Sequence, residues 1–222
     1  NATGGYDGRG AYKLDGDDDF LRGNLPPTNA DERITITVWV RPDSFSTSPT
    51  VIKKGKPGSC FGYGMGISSV GTLLSLDHEG DRSLGTRGIV TNDWSFLAIA
   101  YNATGAFGYI NGTFVGNNTI SQTTSCAQTN YTIGISVGGV TEDFNGHIDE
   151  LTIWNRSLTE YQIKALYRNQ TNVIVAEETT RTQNWSVRVT PNDGQEDGAP
   201  VLSNGVLIFN SKPTAPVLLQ PP

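Results

Sequence analysis

From Glu32 to Val40 the chain alternates strictly. Ile34, Ile36, Val38 and Val40 fall on one side of an extended segment, and Thr35, Thr37 and Trp39 on the other. Wound into a helix, this period of two would scatter the apolar side chains around the whole surface, so the segment has to be a strand. The pattern predicts a half-buried one. Shorter runs of the same kind recur at 49–54, 61–68 and 72–77, punctuated by Gly55, Pro57-Gly58 and Gly71. Residues 94–101 lead into a turn at 102–105, and 106–110 return from it. Asn111-Gly112 is a two-residue hairpin signal, because both residue types tolerate positive φ, and 113–115 continue beyond it. Residues 131–136 and 147–154 supply further strands, and 11–20 give a short strand running into the acidic turn Asp15-Gly-Asp-Asp-Asp19.

One helix is expected. Ser157-Leu-Thr-Glu160 has the form of a capping box, in which the serine oxygen and the glutamate each satisfy an orphan backbone donor. Ile163, Leu166 and Tyr167 follow at helical spacing, with a stop near Asn169. With 26 Gly and 11 Pro in 222 residues, the chain reads as all-β: many short strands, tight turns and a single C-terminal helix over residues 1–170. Beyond this the character changes. Residues 173–177, 185–190 and 205–209 predict three strands separated by acidic, Gly-rich turns. Three strands enclose too little core to stand alone, so the segment 171–212 is expected to dock on the first domain or complete a neighbour. The Pro-rich end, 213–222, is expected to be a stiff linker.

The net charge of −6 and a pI near 4.9 exclude the basic face that a nucleic-acid backbone requires. No run of 18 apolar residues predicts membrane insertion. The start at Asn1, without methionine or signal peptide, is expected to be a processed or trimmed terminus. Asn-X-Ser/Thr sequons stand at Asn1, Asn102, Asn111, Asn117, Asn130, Asn155, Asn169 and Asn184. The chain's 17 Asn and 41 Ser plus Thr would place about three by chance. The excess points to N-glycan acceptors on a glycoprotein, against the alternative of a composition rich in turn and strand residues. Cys60 and Cys126 fit either one disulfide of an exported protein or two buried thiols. The expected location is extracellular, at a cell surface.

Three segments together resemble the laminin-G-like branch of the concanavalin A-like jelly rolls. They are Lys13-Leu-Asp-Gly-Asp-Asp-Asp-Phe20; Trp94-Ser-Phe-Leu-Ala-Ile-Ala-Tyr101 with Gly108-Tyr-Ile-Asn-Gly112; and Phe144-Asn-Gly-His-Ile-Asp-Glu-Leu-Thr-Ile-Trp-Asn-Arg-Ser-Leu158 with the helix to Tyr167. The resemblance spans about residues 4–168 and implies a two-sheet antiparallel sandwich. It also gives Asn155 a structural role in place of a glycan. Residues 176–216, especially 185–194 and 211–214, resemble the closing strands of immunoglobulin-like repeats in large prokaryotic surface proteins.

Calcium needs six to eight oxygens at once, and an acidic Gly-containing turn supplies several. Asp18 and Asp19 are therefore candidate ligands. The resemblance adds Asp149, since structural calcium in the superfamily commonly uses an Asp on the last long strand with backbone carbonyls from the N-terminal region. The alternative is that Asp18 and Asp19 shape a turn and Asp149 caps backbone amides. Glu142-Asp143 is a weaker second cluster. The E-x-D-x-x-E strand of the fold's glucanases does not occur. His78 has no accompanying Ser or Cys elbow and reads as a loop histidine; His147 reads as exposed on its strand. Two His and two Cys, so scattered, do not make a zinc site. Trp94 and Trp154 read as core residues, whereas Tyr63, Trp39 and Tyr109 are candidates for stacking on sugar rings. The expectation is a non-catalytic adhesion or carbohydrate-recognition module whose partners are glycans or cell-surface proteins. The alternative is a repeating subunit of an extracellular filament or surface layer, joined to neighbouring copies by β-strand complementation.

Overall fold

The computed structural model describes residues 4–24, 33–45, 48–56, 60–77, 80–86, 88–119, 130–135, 143–170 and 174–209, the side chains of 55, 56, 60–62, 77 and 80 excepted. The chain divides into two compact units, residues 1–171 and 172–222.

The first unit is an antiparallel sandwich. One sheet has the spatial order β1 (Tyr12–Asp15), β12 (Asn145–Trp154), β3 (Ile34–Pro42), β8 (Ser95–Asn102), β9 (Gly105–Ile110) and β10 (Thr113–Asn118). The other runs β2 (Leu21–Asn24), β11 (Asn130–Ile133), β4 (Thr50–Lys56), β5 (Cys60–Ile67), β6 (Leu73–Asp77) and β7 (Gly80–Ser83). Pairs distant in sequence, such as β1 with β12 and β3 with β8, give the long connections of a jelly roll. Between the sheets, Ile36, Val38, Val40, Leu97 and Ile99 meet Ile52, Met65, Ile67 and Leu73. The buried Tyr101 hydroxyl donates to the Gly64 carbonyl at 2.5 Å and ties β8 to β5.

The alternating strand is buried on both faces, where the sequence predicts burial of one. Its second face carries Thr35, Thr37 and Trp39, and Trp39 packs with Phe96, Ala98, Ala100 and Tyr109 in a second cluster. Helix α1 (Glu160–Tyr167) covers that cluster with Ile163, and Leu158 just before it joins in. Alternation reports which side is uniformly apolar; it carries no word of a helix arriving 120 residues later.

The helix begins two residues later than its sequence signal. Thr159 is the N-cap, and it forms the capping box with Gln162 rather than Ser157 with Glu160. Leu158 explains the shift, because its side chain is buried and its N–H donates to Thr35 Oγ1 at 2.8 Å. That bond pins the approach to the sheet and delays the first turn. The Asn111-Gly112 hairpin forms as expected, with φ of 50° and 72°. Its tightness matters beyond the turn, since a Cβ on Gly112 would lie 3.0 Å from the Tyr167 ring.

In the second unit, β13 (Asn184–Trp185) and β14 (Arg188–Val189) pair with β16 (Val206–Leu207) and β15 (Val201–Leu202). The predicted strand at 185–190 is thus broken in two, and of the one predicted at 173–177 residues 176 and 177 lie in a 3₁₀ turn, Ala176–Glu178. Asn192 donates its amide to Asp197 at 2.7 Å across the ribbon's turn. Backbone hydrogen bonds from Glu196 and Gln195 hold the Asp193 carboxyl below the ordinary carboxylate range. A two-stranded ribbon has no face to enclose a core. Val189, Val201, Leu202, Val206 and Phe209 are accordingly exposed. The linker at 213–222 lies outside the described residues.

Candidate functional site

The site is built where β12 bulges. Its register against β3 shifts between Asp149 and Thr152, and Glu150 takes φ of 50°. The bulge re-aims Asp149: Oδ1 accepts the Glu150 N–H and Oδ2 accepts the Tyr6 N–H, both at 2.9 Å. Tyr6 sits on a turn closed by the Gly5 N–H donating to Arg9 O at 2.7 Å. Anchored this way, the Tyr6 ring lies flat on the Trp39 indole, with centroids 3.3 Å apart and planes 12° from parallel.

Around this stack is a cavity of about 450 Å³, within the range of small-ligand sites. Tyr6, Trp39, Phe96, Trp154 and Tyr167 form its aromatic wall, and Asp7, Arg9, Glu150 and Asn169 its polar rim. The Tyr167 ring is 5.8 Å from Trp39 and 6.0 Å from Phe96. Trp154 Nε1–H donates to Thr37 Oγ1 at 3.1 Å, so this indole is fixed and half-buried. The rim is partly pre-paired, with Arg9 Nε 3.5 Å from Asp7 Oδ2.

The three stacking candidates read from sequence are buried: Tyr63 in the sandwich core, Trp39 and Tyr109 under the helix-covered face. Burial first, and then Glu160, raises the Tyr109 hydroxyl above its ordinary pKa. The exposed platform is Tyr6, 41% accessible against 7% for Trp39, and Trp39 serves as its backing. Tyr6 stands in Gly4-Gly-Tyr-Asp-Gly8, a stretch without periodicity, and only its Gly-flanked aromatic character marks it.

The metal candidates separate. Asp149 lies one residue past the Tyr12–Ile148 pair, at one end of β1, whereas Asp18 and Asp19 follow the Asp15–Asn145 pair at the other. Along the strand that is about 13 Å. Carboxylate oxygens of Asp15, Asp18 and Asp19 lie within 4.8 Å of one another, all exposed. There Asp15 Oδ1 accepts the Asp17 N–H and Asp19 Oδ2 the Asp15 N–H, as turn-forming residues do. Asp149 keeps different company. A Cβ added to Gly5 would lie 2.5 Å from Asp149 Oδ2, 2.8 Å from Arg9 O and 3.0 Å from Gly10 O. A carboxylate and two carbonyls thus gather beside Gly5, where any side chain would collide with them, and oxygens of these kinds are the donors calcium takes. Asp143 is half-buried; Glu142 and His78 lie outside the described residues.

His147, expected to be exposed, is 6% accessible. Trp94 packs edge-on against it at 6.3 Å. Burial, followed by the Arg41 and Lys13 charges, lowers its pKa. Of the sequons, Asn111, Asn117, Asn130, Asn155, Asn169 and Asn184 are exposed and Asn102 is half-buried. Asn111 Oδ1 also accepts the Phe96 N–H at 2.9 Å, and Asn169 takes φ of 54° at the helix end. Asn1, Cys126 and the Cys60 side chain lie outside the described residues, and with them the expected disulfide.

A laminin-G-type family model, described as the concanavalin A-like lectin/glucanases superfamily, matches residues 15–164. Among solved structures the chain is similar to domain 4 of an extracellular GH43 arabinanase from Geobacillus stearothermophilus in complex with arabinotriose. That likeness has a TM-score of 0.58 and 24% identity over 73% of this chain and 78% of that one. The native heptameric pentraxin of Limulus polyphemus gives 0.53 and 16%, over 67% of this chain and 75% of that one. The receptor-binding domain of botulinum neurotoxin D gives 0.58 and 19%, covering 73% of this chain and 44% of that one. No curated protein sequence matches.

Proposed function

The chain belongs to the concanavalin A-like lectin/glucanase superfamily, and from that premise we propose that it is a non-catalytic, extracellular carbohydrate-recognition module that stacks a sugar ring on Tyr6. The cavity between Tyr6 and Tyr167 carries this reading. It joins an exposed aromatic face, which packs against the apolar C–H face of a sugar, to a rim of Asp7, Arg9, Glu150 and Asn169 that can bond its hydroxyls. The similar arabinanase domain, solved with arabinotriose, supports the same ligand class. The sequon excess and the exposed acceptors support the extracellular, glycosylated setting.

Glycan-array binding by the purified chain tests it. Tyr6→Ala is expected to weaken binding at least tenfold while the fold stays intact, since this ring sits at the surface. An unchanged affinity would remove Tyr6 from the site, and measurable polysaccharide turnover would overturn the non-catalytic assignment.

Calcium belongs to the same proposal. Asp149 with the Arg9 and Gly10 carbonyls would hold it, and its chemistry there is structural: it neutralises the carboxylate beside the turn that carries Tyr6. Added calcium is expected to raise the thermal midpoint and EDTA to reverse it, with no response in Asp149→Asn. An equal response in Asp149→Asn would place the ion elsewhere, for instance at Asp18 and Asp19.

The second unit favours a further role. Val189, Val201, Leu202 and Val206 are exposed on a two-stranded ribbon whose edges pair with no other strand among the described residues, a surface suited to strand complementation by a neighbouring copy. Sedimentation at rising concentration is expected to show self-association, and a strict monomer would end this reading.

A further inference from the structure

One row of side chains crosses the first sheet beside the aromatic cavity. Lys13 on β1 stands opposite His147 on β12, and His147 opposite Arg41 on β3. Trp94, immediately before β8, continues it. Two cations flanking an imidazole on neighbouring strands repel one another, and a face that only needed filling would not carry them. Four residues further along β3 and β8 the same face is filled with Thr37 and Ala98.

Each member is held in place. The Arg41 guanidinium lies 5.9 Å over the Trp94 ring, and its Nη2 donates to His147 Nδ1 at 3.3 Å. A neutral imidazole that accepts at Nδ1 carries its proton on Nε2, and the lowered pKa of His147 keeps it neutral. Lys13 pairs with Asp43, and its Nζ also donates to Asn145 Oδ1 at 3.4 Å. Asp93 Oδ1 accepts the Trp94 N–H at 2.9 Å. Arg41 is left without a carboxylate among the described residues, and its buried Nε without an acceptor. With Asp43 offsetting Lys13, the row keeps one positive charge, that of Arg41, in a chain of net charge −6, and it stays rich in donors on an aromatic floor. Lys13 is exposed and Arg41 half-buried, so the row is reachable from solvent. Tyr6 meets Trp94 edge-on at 6.4 Å, which joins the row to the sugar platform.

We propose that Lys13, Arg41 and His147, floored by Trp94, form an anion-binding subsite that takes the carboxylate or sulfate ester of an acidic glycan lying across Tyr6. An arginine fork matches such planar or tetrahedral oxyanions. The assignment of the anion to a glycan rests on the carbohydrate-recognition reading; the subsite itself rests on the row.

The test follows the His147 ring by NMR, where only His78 shares the spectral window, with three probes: a galacturonic acid trisaccharide, the matching neutral galactose trisaccharide, and inorganic sulfate. The acidic sugar is expected to bind at least tenfold tighter than the neutral one at low salt and to shift the His147 signals. Lys13→Met and Arg41→Met are expected to abolish that preference, with affinity for the neutral sugar retained. Lys13 is exposed, so its variant remains informative if Arg41→Met fails to fold. Equal binding of the two sugars, or a preference that survives both substitutions, overturns the proposal. Sulfate that moves His147 in the wild type but not in Lys13→Met, with neither sugar binding, keeps the subsite, assigns it to a free anion and ends the glycan reading. No shift with any of the three overturns the subsite.

Discussion

Trp39→Ala is expected to lower the unfolding free energy of the first unit by about 3–5 kcal/mol, and the thermal midpoint by roughly 6–20 °C. The residue is 7% accessible and meets three other rings, those of Tyr6, Phe96 and Tyr167. Truncation removes a buried indole from the cluster between the sheet and helix α1 and leaves a void that the strand backbone cannot collapse to fill. Glycan binding is expected to go with it, because Tyr6 loses its backing. Trp39→Phe keeps most of the apolar volume and should cost far less. Chemical denaturation of the two variants with a binding assay checks both parts. A loss under about 1 kcal/mol for alanine, against the usual cost of a buried aromatic, would mean that α1 does not pack on this face.

The second large effect is a polar one. Thr35 is fully buried, with Oγ1 donating to Arg156 O at 2.9 Å and accepting the Leu158 N–H at 2.8 Å. Thr35→Val keeps the shape and takes the acceptor from the buried Leu158 N–H, at about 1–3 kcal/mol. The expected loss is about 1–3 kcal/mol, with the N-terminal approach to helix α1 loosened. Thr35→Ser retains the oxygen and is expected to retain most of the stability. Hydrogen exchange at the Leu158 amide distinguishes them: it should accelerate in the valine variant and stay slow in the serine one. Slow exchange in both would show that the bond does not anchor α1.

The comparison of Trp39 and Thr35 with their sequence signals shows how far a pattern reaches. Both lie on the polar side of an alternating strand, and local alternation assigns that side to solvent. The structure buries it because residues 158–167 return across it, a contact between positions more than a hundred apart that no local period encodes. The capping box shows the same limit on a smaller scale. Two Ser/Thr–Glu/Gln pairs overlap at 157–162, and a hydrogen bond to a distant strand selects the second. His147 differs again. Its place in the alternation was legible, but whether that face meets water depended on the arrival of Trp94 and Arg41.

What the sequence determined by itself was the all-β class, the strand positions of the first unit other than β2 and β7, the Asn111-Gly112 turn and the family-type ending at Phe144–Tyr167. Each rests on side-chain period or on backbone conformations that few residue types adopt, and these are local properties. The tertiary structure alone decided that Tyr6, not Trp39, faces solvent, that Asp149 stands apart from Asp18 and Asp19, and that Lys13, His147 and Arg41 share a row. These are matters of register between strands remote in sequence, and register is set by how the whole sandwich closes.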